Sequence, residues 1–103
     1  MSACEIVESF PARKSVTIQL PEHFDYRSIH SFKRVYQRGL VDTSEVVVDM
    51  AFTRYIDSSG IALLLCLFQW LGHPASVIRI THCRPSIRQI LSLAKCEGRF
   101  AFE

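Results

Sequence analysis

The stretch Tyr55-Ile56-Asp57-Ser58-Ser59-Gly60, followed at once by Ile61-Ala62-Leu63-Leu64-Leu65-Cys66-Leu67-Phe68, decides how this chain is read. Just upstream, Val46-Val47-Val48-Asp49-Met50 has the β-branched composition of a strand, so small polar residues stand where a strand hands over to a helix. Asp57 is placed to cap that helix, its carboxylate accepting from an orphan amide of the first turn. Gly60 has no Cβ and lets the helix approach neighbouring backbone closely. The helix is expected from Ser58 to about Leu71, with Gly72, His73 and Pro74 as its stop. Nearly every face of it is apolar, the pattern of a helix that is deeply buried or offers its outer side to a partner. Leu64, Leu67, Phe68 and Leu71 are the candidates for such a contact face, although core packing is the commoner use of such side chains.

Working outward, Glu45–Phe52 reads as one strand buried on both faces. Before it, Val16, Ile18 and Leu20 alternate with Thr17 and Gln19, the period of a strand with one face on a core, and Pro21 closes it. Residues 5–10 suit a short edge strand ended by Pro11. Asp25 stands at a helix N-cap position. From Tyr26 onward Ile29, Phe32, Val35 and Tyr36 share one helical stripe, and Gly39 suits a left-handed C-terminal position. Leu40–Ser44 is then a short connection. Downstream, Ser76–Thr81 is a strand and Pro85 opens a third helix with the stripe Ile87, Ile90, Leu91 and Ala94, ended by Gly98. Arg99–Phe102 allows a last short strand. The resulting order, β-β-α-β-α-β-α with a possible terminal β, predicts an α/β fold: a single-domain mixed β-sheet with helices packed against it.

A chain of 103 residues supports one core, so residues 1–103 are expected to form a single domain. An apolar fraction of 49% with 21% charged residues belongs to a folding chain, and a net charge of +2 from scattered basic residues gives no footprint for nucleic acid. Cys4, Cys66, Cys83 and Cys96 form no C-x-x-C pair, which favours reduced thiols and a cytoplasmic setting. The N-terminus has no signal-peptide pattern, and the longest apolar run, eight residues, is far short of the roughly 18–20 that span a bilayer, so direct membrane insertion is not expected.

Catalytic patterns are absent. His23, His30, His73 and His82 have no metal-ligand spacing; the glycines at 39, 60, 72 and 98 are isolated and make no phosphate loop; Ser58 and Ser59 lack the G-x-S-x-G pattern. No cofactor, metal site or enzyme is implied. What remains is Ser58, at the C-terminal end of a strand, where ligands and partners of open α/β folds meet the protein. A phosphate on it would add about −1.5 to −2 charge, be tolerated by the helix N-terminus, and oblige any partner covering it to desolvate a dianion.

The succession Val46-Val47-Val48-Asp49, then Ile56-Asp57-Ser58-Ser59-Gly60-Ile61, then a helix, a strand and a proline-started helix resembles the STAS family, the sulphate transporter and anti-sigma factor antagonist domain. The resemblance runs from about Val16 to Phe102 and is strongest to stand-alone bacterial antagonists. It implies that Ser58 is a phosphorylation site and that the unphosphorylated form binds an anti-sigma factor with a histidine-kinase-like ATPase fold, freeing the sigma factor. It also implies that this anti-sigma factor is the serine kinase and that a PP2C-type phosphatase reverses the modification. The family's aspartate before the first helix matches Asp25. Two positions depart from the pattern: Glu22-His23-Phe24-Asp25 replaces a Gly-Glu-Leu-Asp run, and Ala62 stands where glycine is usual.

The partner-binding residues expected on this reading are Asp25, Arg54, Tyr55, Asp57, Ser58, Ser59, Gly60 and Ile61, with a solvated loop charge the commoner role for Arg54. A different class of function, a constitutive accessory subunit of a membrane ABC-type transport complex, uses the same helix with Ser58 as an unmodified contact. A nucleotide- or lipid-binding role has no residue in the sequence to carry it.

Overall fold

A computed structural model describes residues 3–40, 43–72, 77–94 and 100–103. Expectations resting on Val41, Asp42, His73, Pro74, Ser76, Cys96, Gly98 and Arg99 lie outside the described residues. The chain runs β1 (Glu5–Phe10), a 3₁₀ turn at Pro11–Arg13, β2 (Ser15–Gln19), β3 (His23–Phe24), a 3₁₀ turn at Tyr26–Ser28, α1 (Ile29–Gly39), β4 (Glu45–Asp49), β5 (Tyr55–Ile56), α2 (Ser58–Leu71), β6 (Val77–Thr81), α3 (Pro85–Leu93) and β7 (Ala101–Phe102). The main sheet has the order β1-β2-β4-β6-β7, antiparallel at β1/β2 and parallel elsewhere. This is the mixed α/β architecture that the alternation of strands and helices predicts.

Alternation along each strand decides which face meets the helices. Register aligns Val16, Val46 and Ile78 in one row and Ile18, Val48, Ile80 and Phe102 in the next. All but the half-buried Phe102 are buried. They join Phe32 and Tyr36 of α1, Leu63, Leu64 and Leu67 of α2, and Ile87 and Leu91 of α3 in one core. Full burial of such a side chain is worth about 1.5–3 kcal/mol, so these rows dominate the stability of the sheet. An aromatic series, Phe24 to Phe32 at 5.1 Å, Phe32 to Tyr36 at 5.6 Å and Tyr36 to Trp70 at 5.5 Å, ties β3 and α2 to α1.

The opposite face of the sheet is polar and half exposed. There Ser15 Oγ donates to Glu45 Oε1 at 3.0 Å, and Arg79 donates to Glu45 Oε2 at 3.1 Å and to Glu103 Oε1 at 3.0 Å. This corrects the expectation that the Val46–Val48 strand is buried on both faces: Val46 and Val48 are buried, whereas Glu45, Val47 and Asp49 are only half buried. The strand is also shorter than expected, because Asp49 accepts from the Ala51 amide at 2.9 Å and turns the chain.

Gly39 is the last residue of α1 rather than a left-handed cap; Leu40 caps the helix with φ −110°. A Cβ on it would meet the end of the Ile6 side chain from β1, which would have to turn aside. Gly72 does take the left-handed conformation, φ 59°, as a helix stop should. The third helix buries only Ile87 and Leu91 of its four expected stripe residues: Ile90 is exposed, and Ala94 caps the helix as an exposed residue.

Candidate functional site

Two very short strands set the position of the Asp57-Ser58-Ser59-Gly60 turn. The Glu22 carbonyl accepts from the amides of Arg54 and Tyr55 at 2.9 and 3.0 Å, and the buried Thr53 hydroxyl donates to the Pro21 carbonyl at 2.9 Å. These bonds lay β5 parallel to β3, pairing His23 with Tyr55 and Phe24 with Ile56. The strand then delivers Asp57 in an extended conformation, φ −126° and ψ −171°, directly into α2.

Asp57 caps the helix as expected: its Oδ1 accepts from the Gly60 amide at 3.1 Å, and its carbonyl accepts from Ile61 at 3.0 Å. Gly60 is buried. A Cβ on it would overlap the Phe24 carbonyl oxygen and come within 2.9 Å of Ile56 Cγ1, so the helix can sit this close to β3 only because residue 60 has no side chain. Ser59 and Ile61 are half buried, whereas Asp57 and Ser58 are exposed. Of the four small residues, Asp57 and Gly60 fix the backbone and Ser58 presents its side chain to solvent. The amides of Ser58 and Ser59 precede the first intrahelical donor, the Ile61 amide, and so have no carbonyl one turn back; they are open to an external acceptor.

Asp25 caps the Tyr26–Ser28 turn that leads into α1, accepting from the Arg27 amide at 3.0 Å. Its carboxylate also takes Arg27 in a forked pair, with Nη2 to Oδ2 at 2.8 Å and Nε to the two oxygens at 3.1 and 3.2 Å. The hydrogen bonds from Arg27 hold the Asp25 carboxyl below the usual aspartate range. The Asp57 charge also reaches the Arg27 guanidinium, so this arginine lies electrostatically between the two caps.

Tyr55 is 57% exposed and stacks on His23 with ring centroids 4.4 Å apart. Arg54 is exposed and only loosely held, 3.7 Å from Glu22. The residues marked out in the sequence thus gather at one end of the molecule, on β5, the start of α2 and the turn before α1. Two more exposed aromatics lie in the same loops, Tyr26 and Phe52. Neither is marked out in the sequence, where Phe52 reads as the end of a buried strand and Tyr26 as the start of the first helix.

On α2 the four candidate contact residues follow the commoner reading, core packing. Leu64 and Leu67 are buried and Phe68 and Leu71 pack against the core, so none of the four forms a fully exposed contact face. Four residues on from Ser58 lies exposed Ala62, and four further lies exposed Cys66. With Gln69 they make a smooth strip that begins at the serine.

Comparison with known proteins places this arrangement in a family. The STAS domain profile matches residues 7–102, and the chain belongs to the STAS domain family. It is 31% identical over 87 residues to a STAS-domain containing protein of Pseudomonas aeruginosa (strain UCBPP-PA14), an alignment covering 84% of this chain and 86% of that protein. Its fold matches the anti-sigma factor antagonist SpoIIAA in its unphosphorylated form, with a TM-score of 0.69 and 15% identity over 97% of this chain and 86% of that one. It also matches the Bacillus cell fate determinant SpoIIAA in the phosphorylated form, with a TM-score of 0.67 and 15% identity over 97% of this chain and 90% of that one. Among the described residues no helix is long and apolar enough to cross a membrane, and no group of three or more histidine, cysteine or acidic side chains is arranged to hold a metal ion.

Proposed function

We propose that this protein is an anti-sigma factor antagonist, a binding module gated by phosphorylation of Ser58. The unphosphorylated form binds an anti-sigma factor that is also a serine kinase of the histidine-kinase-like ATPase fold, and so releases the factor's target. Phosphorylation ends the binding and a PP2C-type phosphatase restores it. The observation that carries this reading is the exposure of Ser58 at the first position of α2, between a capping aspartate and a glycine wedged against backbone. A phosphate there needs no rearrangement of the fold, because the nearby first-turn amides and helix dipole favour an exposed anion by about 0.3–1 kcal/mol. It does change the surface, placing a dianion at the head of the Ala62–Cys66 strip.

In this reading Tyr55, Arg54 and Ile61 contact the partner, Asp25 orders the adjoining turn, and Asp57, Ser59 and Gly60 shape the docking surface. Incubation with the cognate kinase and ATP, followed by mass-spectrometric mapping, is expected to give one phosphate on Ser58. Modification of a different residue, or none, would overturn the proposal.

A further inference from the structure

Charge is segregated between the two layers of the fold. From Tyr26 to Leu40 the chain carries no acidic residue, and α1 exposes His30, Lys33, Arg34, Gln37 and Arg38. At 3.6 residues per turn these five fall within an arc of about 140°, turned away from the buried Phe32 and Tyr36. Lys33, Arg34 and Arg38 pair with no described acidic side chain. The open face of the sheet has the reverse sign. Register sets Glu5 beside Gln19 and Glu8 beside Thr17, in the rows that hold Asp49 and Val47, and on the same face Glu45 and Glu103 flank Arg79. Half of the chain's ten acidic residues thus lie on the side of the sheet away from α1, and of the described strand positions there only Arg79 is basic. A net charge of +2 conceals this separation.

Trp70 stands at the edge of the basic face. It is the last residue but one of α2, it is 51% exposed, and its ring lies 5.5 Å from that of Tyr36. Lys33, three residues before Tyr36, lies on the same flank of α1. A half-exposed tryptophan beside lysine and arginine suits the headgroup region of a bilayer, where the ring finds an apolar floor with a wet rim and the long basic chains reach phosphates. The outer face of a helix is convex and gives a peptide no groove, whereas a bilayer surface asks for none.

We infer that α1 and Trp70 form a docking face for the surface of an anionic phospholipid bilayer, with no helix crossing it. The acidic sheet face is repelled by the same surface, so the two layers together fix the orientation of the bound protein. Ser58 opens α2 and Trp70 stands near its other end, so the inference is separate from the phosphorylation switch.

The test is sedimentation of the full chain with vesicles of phosphatidylcholine, alone or with an equal part of phosphatidylglycerol. Trp70 is the single tryptophan of the chain, so its fluorescence reports contact at this face. Binding is expected to the anionic vesicles only, with a blue shift of the emission, and should be lost at about 1 M salt, where screening acts within about 3 Å. A basic side chain near an anionic surface is worth about fivefold in partitioning, so Lys33→Gln, Arg34→Gln and Arg38→Gln combined should lower it about a hundredfold. All three positions are exposed, so the triple variant should melt with the native chain, and Ser58→Ala should bind vesicles as the native chain does. Equal binding to both kinds of vesicle, binding that survives the triple substitution, or an unshifted emission would overturn the inference. So would preference for soluble polyglutamate over the vesicles, which would assign the face to an acidic protein. Self-association without vesicles that the triple substitution abolishes would overturn it too, by assigning the face to the acidic sheet of a second copy.

Discussion

Gly60 sits against the backbone carbonyl of Phe24, so close that a methyl group in place of its hydrogen would overlap the oxygen. Two effects compete at this position. Replacing a helical glycine by alanine ordinarily gains about 1 kcal/mol of helix propensity. Over-packing a closed contact costs about 1–3 kcal/mol, and here the obstacle is backbone, which cannot rotate away. Gly60→Ala is therefore expected to lower stability in urea denaturation, against the sign that propensity alone gives. A more stable variant would mean that α2 does not lean on β3 as described.

The cap makes a separate prediction. Asp57 accepts from the Gly60 amide, and removing such a cap costs about 1 kcal/mol. Asp57→Ala should lose that much in the same denaturation, while Asp57→Asn, which keeps an acceptor, should lose much less. Equal losses would assign the effect to charge rather than to the hydrogen bond.

Much of this is legible in the sequence. The alternation of Val16, Ile18 and Leu20 named the core face of one strand, and Asp57 with Gly60 named the turn into α2. The strands β3 and β5 were not legible, because two residues carry no period, and the bonds that pair them come from the Glu22 carbonyl and the Thr53 side chain. Gly39 is not settled by the sequence for a related reason: a glycine at a helix end suits both a left-handed cap and a last helical residue beside Ile6, which is distant in sequence. The all-apolar face of α2 likewise hid which leucines point inward.

Acid sensitivity should trace in part to the polar face of the sheet. Hydrogen bonds from Arg79, and then from Ser15, lower the Glu45 pKa. A carboxyl whose folded pKa lies below its unfolded one adds stability above the unfolded value and loses it as pH falls through the folded one. The urea midpoint should thus fall between about pH 5 and pH 2, and Arg79→Ala should make that fall shallower. An unchanged pH profile in the variant would contradict the assignment.

The thiols should separate by reactivity. Burial pushes Cys4 up to about 11, against smaller opposing effects of hydrogen bonds with Ser31 and Ser28, and burial also raises Cys83. Cys66 is exposed on the strip that follows Ser58. Because the thiolate is the reacting form, maleimide labelling followed by peptide mapping should, of these three described thiols, modify Cys66 first, Cys83 more slowly and Cys4 only on unfolding. Early labelling of Cys4 would contradict its place in the core.

The central claim is that Ser58 gates binding, and the most direct measurement is the affinity of one preparation for the anti-sigma factor proposed as its partner, before and after stoichiometric phosphorylation, with Ser58→Ala alongside. The unphosphorylated protein and Ser58→Ala should bind alike, and the phosphorylated protein should bind at least about a hundredfold more weakly, as expected when a buried contact must desolvate a charge at a cost of several kcal/mol. Equal affinity of the phosphorylated and unphosphorylated forms would contradict the account.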